Sequence, residues 1–117
     1  MTELDEFGKF LMTYVRDKAI EQINDIIDKT EKGISTPSTN LMSELIKKDY
    51  DSAKAVSKLS VDTALAFLLG AFEENPEFII TTRISESSSD LNSMSDGFEG
   101  ELYGDNGWIS KYSKHPE

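Results

Sequence analysis

The residues best suited to chemistry are concentrated between Ser85 and Trp108, in the stretch SESSSDLNSMSDGFEGELYGDNGW. Asp, Glu, Ser, Asn and Gly crowd this segment, and the same residue types build metal-binding loops, catalytic carboxylate pairs and solvated turns. Negative charge is densest here, because residues 86–117 hold seven acids and two bases. Each of these chemistries requires its own spacing of residues, which can be compared with the sequence.

A calcium-binding EF-hand loop needs oxygen ligands at positions 1, 3 and 5, glycine at position 6 and a bidentate glutamate at position 12. With Gly97 at position 6, positions 3 and 12 fall on Met94 and Tyr103. Neither side chain can do what its position requires, so the EF-hand alignment fails. An irregular Mg²⁺ or Ca²⁺ site stays open as a weaker alternative, with Asp90, Asp96, Glu99 and Glu101 as its ligands.

Carboxylate catalysis is the second chemistry. In a strand Glu99 and Glu101 would share one face, about 6–7 Å apart, and glycosidases use carboxyl pairs at comparable distances. Glycine flanks both residues in a charged segment, which does not predict the pocket that raises the pKa of a catalytic acid. The single histidine, His115, lies near the C-terminus, where a rigid setting for a general base is uncommon. We expect no catalytic residue, no bound metal and no cofactor.

The charge of the chain favours a protein partner instead. The net charge is −10, from 22 acids and 12 bases in 117 residues. Direct binding to nucleic acid is disfavoured, because Lys and Arg provide that affinity, whereas a basic protein surface would be attracted. Aromatic residues, which are frequent in interface hot spots, lie among the C-terminal acids. The predicted partner contacts are Asp90, Asp96, Glu99, Glu101, Tyr103, Asp105 and Trp108.

The elements that must position these residues begin with helices. Residues 2–32 form one apolar stripe at three- and four-residue spacing, which predicts a long N-terminal helix capped by Thr2 and ended at Gly33. Gly8 weakens its first turns. A second helical region covers residues 41–58, as one helix or as two short ones. A third helix, residues 61–74, follows Ser60 as its cap and ends at Asn75-Pro76.

The pattern changes after Pro76. Residues 77–85, EFIITTRIS, are β-branched and aromatic, which predicts a strand. The segment FEGELYGDNGWISKYS predicts two short strands around Asn106-Gly107, a frequent hairpin signal. We therefore expect one α+β domain over residues 1–117: three to four helices in residues 1–76, then a small antiparallel sheet with a C-terminal hairpin in residues 77–117.

Two functional hypotheses follow from these features. The N-terminus is acidic and the longest apolar run, ALAFLLGAF, is about half a membrane span, so we expect a soluble cytoplasmic protein without cysteine and without a membrane partner. The first hypothesis is an inhibitory binding protein, such as an immunity-type protein that neutralises a basic toxin enzyme. The alternative is a small regulatory or structural homodimer, assembled through an N-terminal helix that is about 45 Å long at 1.5 Å per residue.

Overall fold

The computed structural model describes residues 1–84 and 89–117. The end of the predicted strand at residues 77–85 and most of the Ser-rich run lie outside the described residues. The molecule is elongated, with principal extents of 51 × 27 × 25 Å. Two long helical segments provide this length, and the short helices of the C-terminal part cover one end of them.

The N-terminal helix is continuous in the structure, as predicted, and consists of three parts: α1 (Glu3–Phe10), a π-helical segment (Leu11–Arg16) and α2 (Asp17–Glu31). Thr2 is its N-cap: the Thr2 hydroxyl accepts from the Asp5 N–H, and the Asp5 carboxylate accepts from the Thr2 N–H, both at 3.1 Å. Gly33, at φ 91°, ends it. The π-helical segment was not predicted, because a stripe at three- and four-residue spacing fits both geometries over one turn.

The second helical region is divided at Asp49. A 3₁₀ turn (Asn40–Met42) leads into α3 (Ser43–Lys48), and α4 runs from Tyr50 to Glu74. The Asp49 side chain accepts from the Ser52 N–H at 3.1 Å and so caps α4. The predicted helix start at Ser60 is wrong, because the Ser60 hydroxyl donates to the Val56 carbonyl at 2.8 Å inside a continuous helix.

The predicted α+β fold with a small antiparallel sheet is wrong, since the described residues are predominantly helical. Within residues 1–84 and 89–117, strand pairing is limited to β1 (Thr81–Thr82) and β2 (Ser89–Asp90), two residues each. The segments expected to form the hairpin are helical instead. They are α6 (Phe98–Leu102) and α7 (Trp108–Tyr112), preceded by α5 (Leu91–Met94).

Tertiary packing explains this difference. Phe98 and Leu102 are four residues apart, so one helical turn places both on the same face, and each is only 1% exposed. Trp108 and Ile109 begin α7 and are equally buried. A strand would have turned alternate residues of these segments to solvent, whereas short helices bury each apolar pair against the long helices.

The core joins the N-terminal and C-terminal parts of the chain. Trp108 packs edge-on against Phe7, with ring centroids 5.8 Å apart, and its indole lies directly over Gly8, where a Cβ would be 2.4 Å from the ring. Gly8, expected to weaken the helix, is therefore the position that admits Trp108. The buried hydrophobic cluster contains Leu4, Leu11, Met12, Leu65, Ala66, Leu69, Leu91, Phe98, Leu102, Trp108 and Ile109.

One described helix, α4, is long and apolar enough by length and composition to cross a membrane. Its most apolar 18-residue window has a mean hydropathy of 1.5, and 22% of that window is buried inside the protein. The core helix of a soluble protein meets the same criteria, so this finding alone carries little weight. It does show that much apolar surface of α4 is left uncovered by the rest of the chain.

Candidate protein-binding site

An acidic concavity lies at the C-terminal end of α4. Its walls come from the last turn of α4, from the β1–β2 pair and from the segment that joins α5 to α6, and its volume is about 450 Å³. Glu73, Asp90 and Asp96 line it together with Phe72 and Ile79. None of the described residues that line it is Lys or Arg. We call this feature the acidic concavity.

Hydrogen bonds to the backbone hold the walls of the concavity in place. Asn92 accepts from the Ile80 N–H at 2.9 Å and donates to the Phe72 carbonyl at 3.2 Å, so it links the strand pair to α4. The Asp90 carboxylate accepts from the Asn92 N–H at 2.9 Å and caps α5. Glu73 reaches across to α6, where its carboxylate accepts from the Glu99 N–H at 3.0 Å. Two of the three lining carboxylates are thus oriented by the fold itself.

The geometry suits the recognition of a cation. Three carboxylates around a concave surface can accept several hydrogen bonds from one guanidinium or ammonium group, and the rings and alkyl groups of Phe72 and Ile79 can pack against its aliphatic stem. Asp96 is exposed and Asp90 is half-buried, so both carboxylates are accessible to a ligand that enters the concavity. The concavity offers charge and shape to a ligand.

The structure brings some of the predicted contact residues together and separates others. Asp90 and Asp96 line the concavity. Glu99 is exposed on α6 near Gly70 and borders a smaller groove of about 200 Å³ on α4. Glu101 is half-buried and accepts from the Ser95 hydroxyl at 3.1 Å. Because α6 is a helix, Glu99 and Glu101 do not share a face, which removes the geometry required of a catalytic pair.

The remaining predicted contacts lie farther along the chain. Asp105 is exposed in the turn between α6 and α7. Tyr103 is 41% exposed; partial burial raises its pKa, and the negative charges of Asp62 and Glu99 raise it further. The phenol therefore stays a neutral hydrogen-bond donor. Trp108 is 1% exposed and belongs to the core, where it offers no accessible surface to a partner.

Glu73 was missed from the sequence, although a signal was present. Glu73 and Glu74 end α4, where the negative end of the helix dipole disfavours acids. Two consecutive acids at that position indicate a purpose other than helix stability. Glu73 serves this purpose by accepting from the α6 backbone while it lines the acidic concavity.

A second polar constellation is buried on the other side of α4. Arg16 is fully buried, and its guanidinium donates to both carboxylate oxygens of Asp62, at 2.6 and 3.1 Å. It also donates to the Ser113 hydroxyl at 2.7 Å and to the His115 carbonyl. The Ser113 hydroxyl in turn donates to Asp17.

These bonds fix the C-terminal residues against the long helices, so His115 does not lie in a free tail. The His115 imidazole lies 3.5 Å from a Glu21 carboxylate oxygen, whereas the Ser113 hydroxyl bonds to the backbone of His115 and to Asp17. The arrangement is that of a structural clamp, since these bonds of the Ser113 hydroxyl do not pair it with an imidazole base.

Metal binding has no geometric support in the part of the chain that the structure describes. There, no group of three His, Asp or Glu side chains is arranged to hold a metal ion. The irregular cation site considered for Asp90, Asp96, Glu99 and Glu101 would need a convergence of their carboxylates, and these are instead distributed over a cap, a loop and two faces of α6.

The fold and the site together define a small acidic helical protein that presents a concave carboxylate surface. No protein-family model, no curated protein and no solved structure matches this chain.

Proposed function

We propose that this chain is a non-catalytic binding protein of the cytoplasm that docks on the basic surface of another protein and inhibits it. The proposed class of inhibitor is an immunity-type protein, which neutralises a basic toxin enzyme. The single observation that carries the proposal is the acidic concavity, which Glu73, Asp90 and Asp96 line without a lysine or arginine among the described lining residues.

The proposed contact has two parts. A Lys or Arg side chain of the partner enters the concavity and donates to the lining carboxylates, while its stem packs on Phe72 and Ile79. Outside it, Glu99, Tyr103 and Asp105 are exposed on the same C-terminal part of the chain and supply long-range attraction and a neutral donor. Such an acidic field repels phosphate groups, so the proposal includes neither nucleic acid nor an anionic membrane as a direct partner.

The test is the rate of association with a panel of basic nucleases at increasing salt. Electrostatic steering raises association rates strongly at low ionic strength and weakens as salt is added. We expect the Asp96→Lys/Glu99→Lys double variant to associate at least about tenfold more slowly with the nuclease that binds, because it places two positive charges at the rim. Asp96 lies in the segment before α6, Glu99 is exposed on α6, and the N-cap position of α6 is Gly97, so helical circular dichroism should be unchanged.

A matched control separates local charge from net charge. The Glu31→Lys/Glu44→Lys double variant changes the net charge by the same amount, but its exposed positions lie on α2 and α3, near the opposite end of α4. We expect it to slow association less than about twofold. Equal effects of the two double variants, or an association rate that does not vary with salt, would contradict the proposed site.

A further inference from the structure

The apolar surface that the chain leaves uncovered is mostly on α4. Between Ala55 and Ala71 the exposed residues recur as adjacent pairs every four positions, and none of these described residues is charged. The two charged residues of this span, Lys58 and Asp62, point to the chain itself, Asp62 to Arg16 and Lys58 to the Pro116 carbonyl. In a chain with 29% charged residues, an exposed helix face about 25 Å long at 1.5 Å per residue with no charged residue of its own is unusual. We call it the α4 face. Glu99 of α6 borders its C-terminal end beside Phe67 and Ala71.

The α4 face exposes large apolar side chains, and a partner bound to it would remove their surface from water. Val56 is 62% exposed, Leu59 65%, Phe67 76% and Leu68 51%. These four expose roughly 500 Å² of apolar surface, toward the upper end of the 300–600 Å² found for the largest patch of a typical monomer. At Val56 the face continues into an apolar groove of about 470 Å³ between α2, α3 and α4.

The groove extends the α4 face to the size of an interface. Met42 and Leu45 line it and are 51% and 56% exposed. With these side chains and Ile26 added, the continuous apolar area reaches roughly 800 Å², which is what each partner of a stable complex buries.

We propose that the α4 face binds the α4 face of a second copy of this chain, with the two helices antiparallel. A two-fold axis between Ser60 and Thr63 makes the face complementary to itself. It sets Val56 opposite Phe67 of the second copy and Leu59 opposite Ala64, so larger side chains meet smaller ones. Ser60 and Thr63 at the centre are small enough for the helices to approach closely.

The sizes of the side chains select this antiparallel direction. In a parallel pair each side chain would meet its own counterpart, so Phe67 would face Phe67 and Val56 would face Val56. Charge does not distinguish the two directions, because the exposed Asp49 and Asp51 lie beside Lys47 and Lys48 at the N-terminal end of α4. The surface differs from the one predicted for a homodimer, which is the apolar stripe of the N-terminal helix. Leu4, Leu11 and Ile27 of that stripe are buried within the chain, whereas Tyr14, Val15 and Ile26 are exposed.

Sedimentation of the full chain at micromolar concentration tests the association. We expect the wild-type chain to sediment as a species of twice 13.1 kDa. The Phe67→Glu variant should shift the midpoint to at least tenfold higher concentration, while helical circular dichroism stays the same because Phe67 contacts solvent. Phe78→Glu is the matched control: Phe78 is 63% exposed, carries the same substitution and lies beyond the end of α4, so it should leave the dimer intact.

Cysteine cross-linking tests the direction, since the chain has no cysteine of its own. In the antiparallel dimer Ser52 faces Ala71 of the second copy, whereas Ser52 is about 28 Å from its own counterpart along the helix axis. A mixture of Ser52→Cys and Ala71→Cys chains should therefore cross-link under mild oxidation, and neither variant alone should do so.

Three results would overturn the proposal. The first is a wild-type chain that stays monomeric at tens of micromolar, and the second is a cross-link formed by Ser52→Cys alone. The third is flotation with phosphatidylcholine vesicles that Phe67→Glu abolishes, which would assign the α4 face to a lipid surface. None of these outcomes bears on the acidic concavity, so the dimer can fail while binding to a basic protein holds.

Discussion

The buried pair between Arg16 and Asp62 gives the most stringent test of the fold. The Asp62→Ala substitution removes both carboxylate oxygens and leaves the guanidinium of Arg16, which is 0% exposed, bonded to Ser113 and to the His115 carbonyl only. Removal of one partner from a buried ion pair costs about 3–5 kcal/mol, because the other charge stays buried without compensation. A domain of this size has a free energy of unfolding of about 5–15 kcal/mol, so the variant should be marginally stable.

Urea denaturation followed by circular dichroism measures this loss. With a typical urea dependence of 1–3 kcal/mol per molar, a loss of about 4 kcal/mol lowers the midpoint by roughly 1–4 M. Asp25→Ala is the control, since Asp25 pairs with Lys29 on the surface and is 52% exposed. Exposed pairs of this kind contribute less than about 1 kcal/mol, so its midpoint should hardly move.

A double variant separates the charge from the packing. Replacement of both partners, as Arg16→Met with Asp62→Leu, removes the uncompensated charge, and hydrophobic replacements of buried ion pairs are often neutral or stabilising. We therefore expect the double variant to recover much of the stability that Asp62→Ala loses. A loss below about 1 kcal/mol for Asp62→Ala, or a double variant as unstable as the single one, would show that Arg16 is solvated and that the described clamp is wrong.

Two further predictions concern the first turns of the N-terminal helix. Gly→Ala inside a helix ordinarily stabilises by about 1 kcal/mol; Gly70→Ala in α4 should do so, since its Cβ would have its nearest neighbour at 3.8 Å. Gly8→Ala should instead destabilise by about 1–3 kcal/mol, because its Cβ would lie 2.4 Å from the Trp108 ring, and urea midpoints that move the same way for both would refute this. Thr2→Ala should cost about 1 kcal/mol at pH 7. Hydrogen bonds from the Thr2 hydroxyl and N–H lower the pKa of Asp5, so the capping stabilisation is present above the usual Asp pKa and lost as the pH falls through the lower folded value. The stability cost of Thr2→Ala should therefore shrink at pH 2–3. An NMR pH titration of the Asp5 carboxyl group in the Thr2→Ala variant should show its pKa rising toward the ordinary value.

The N-terminal helical half of the fold was largely predictable from the sequence, because the ends of its first helix carry local sequence signals. Thr2 and Gly33 fix the ends of the N-terminal helix through a side-chain hydroxyl and a positive φ, which depend on one or two neighbouring residues. Ser60 has the same kind of hydroxyl, but inside a helix it can bond to the carbonyl four residues earlier. Local sequence cannot decide between these two uses, and the apolar contacts of Val61 and Leu65 decide it here in favour of one continuous helix.

The C-terminal half was wrongly predicted because its helices are only four or five residues long. Such helices are unstable in isolation and form only where tertiary contacts bury their apolar pairs. Phe98 with Leu102 fits a single helical turn as well as it fits a strand with interruptions. Asn106-Gly107, a hairpin signal, forms a turn between two helices instead, in which the Gly107 N–H donates to the Gly104 carbonyl at 3.0 Å.

The candidate site was predictable in its charge and unpredictable in its shape. Asp90 and Asp96 were identified because the C-terminal residues are dense in acids, and both line the acidic concavity. Glu73 lies 17 and 23 residues earlier in the sequence, and only the return of the chain onto the end of α4 brings it beside them. Density of charge is a property of local sequence, whereas convergence of charge depends on the fold.

The position of the acidic concavity on α4 connects the two proposals. Glu73 lies at the end of the helix and about a third of a turn away from the α4 face at 100° per residue, so an antiparallel pair of helices leaves the concavity uncovered. Because the two C-terminal ends point in opposite directions, the dimer presents two concavities that are about 37 Å apart along the axis of a 25-residue helix. A partner with two basic sites at this spacing would therefore be bound by both concavities at once, with avidity. A partner with one basic site would bind each concavity independently, so one dimer would hold two copies of it.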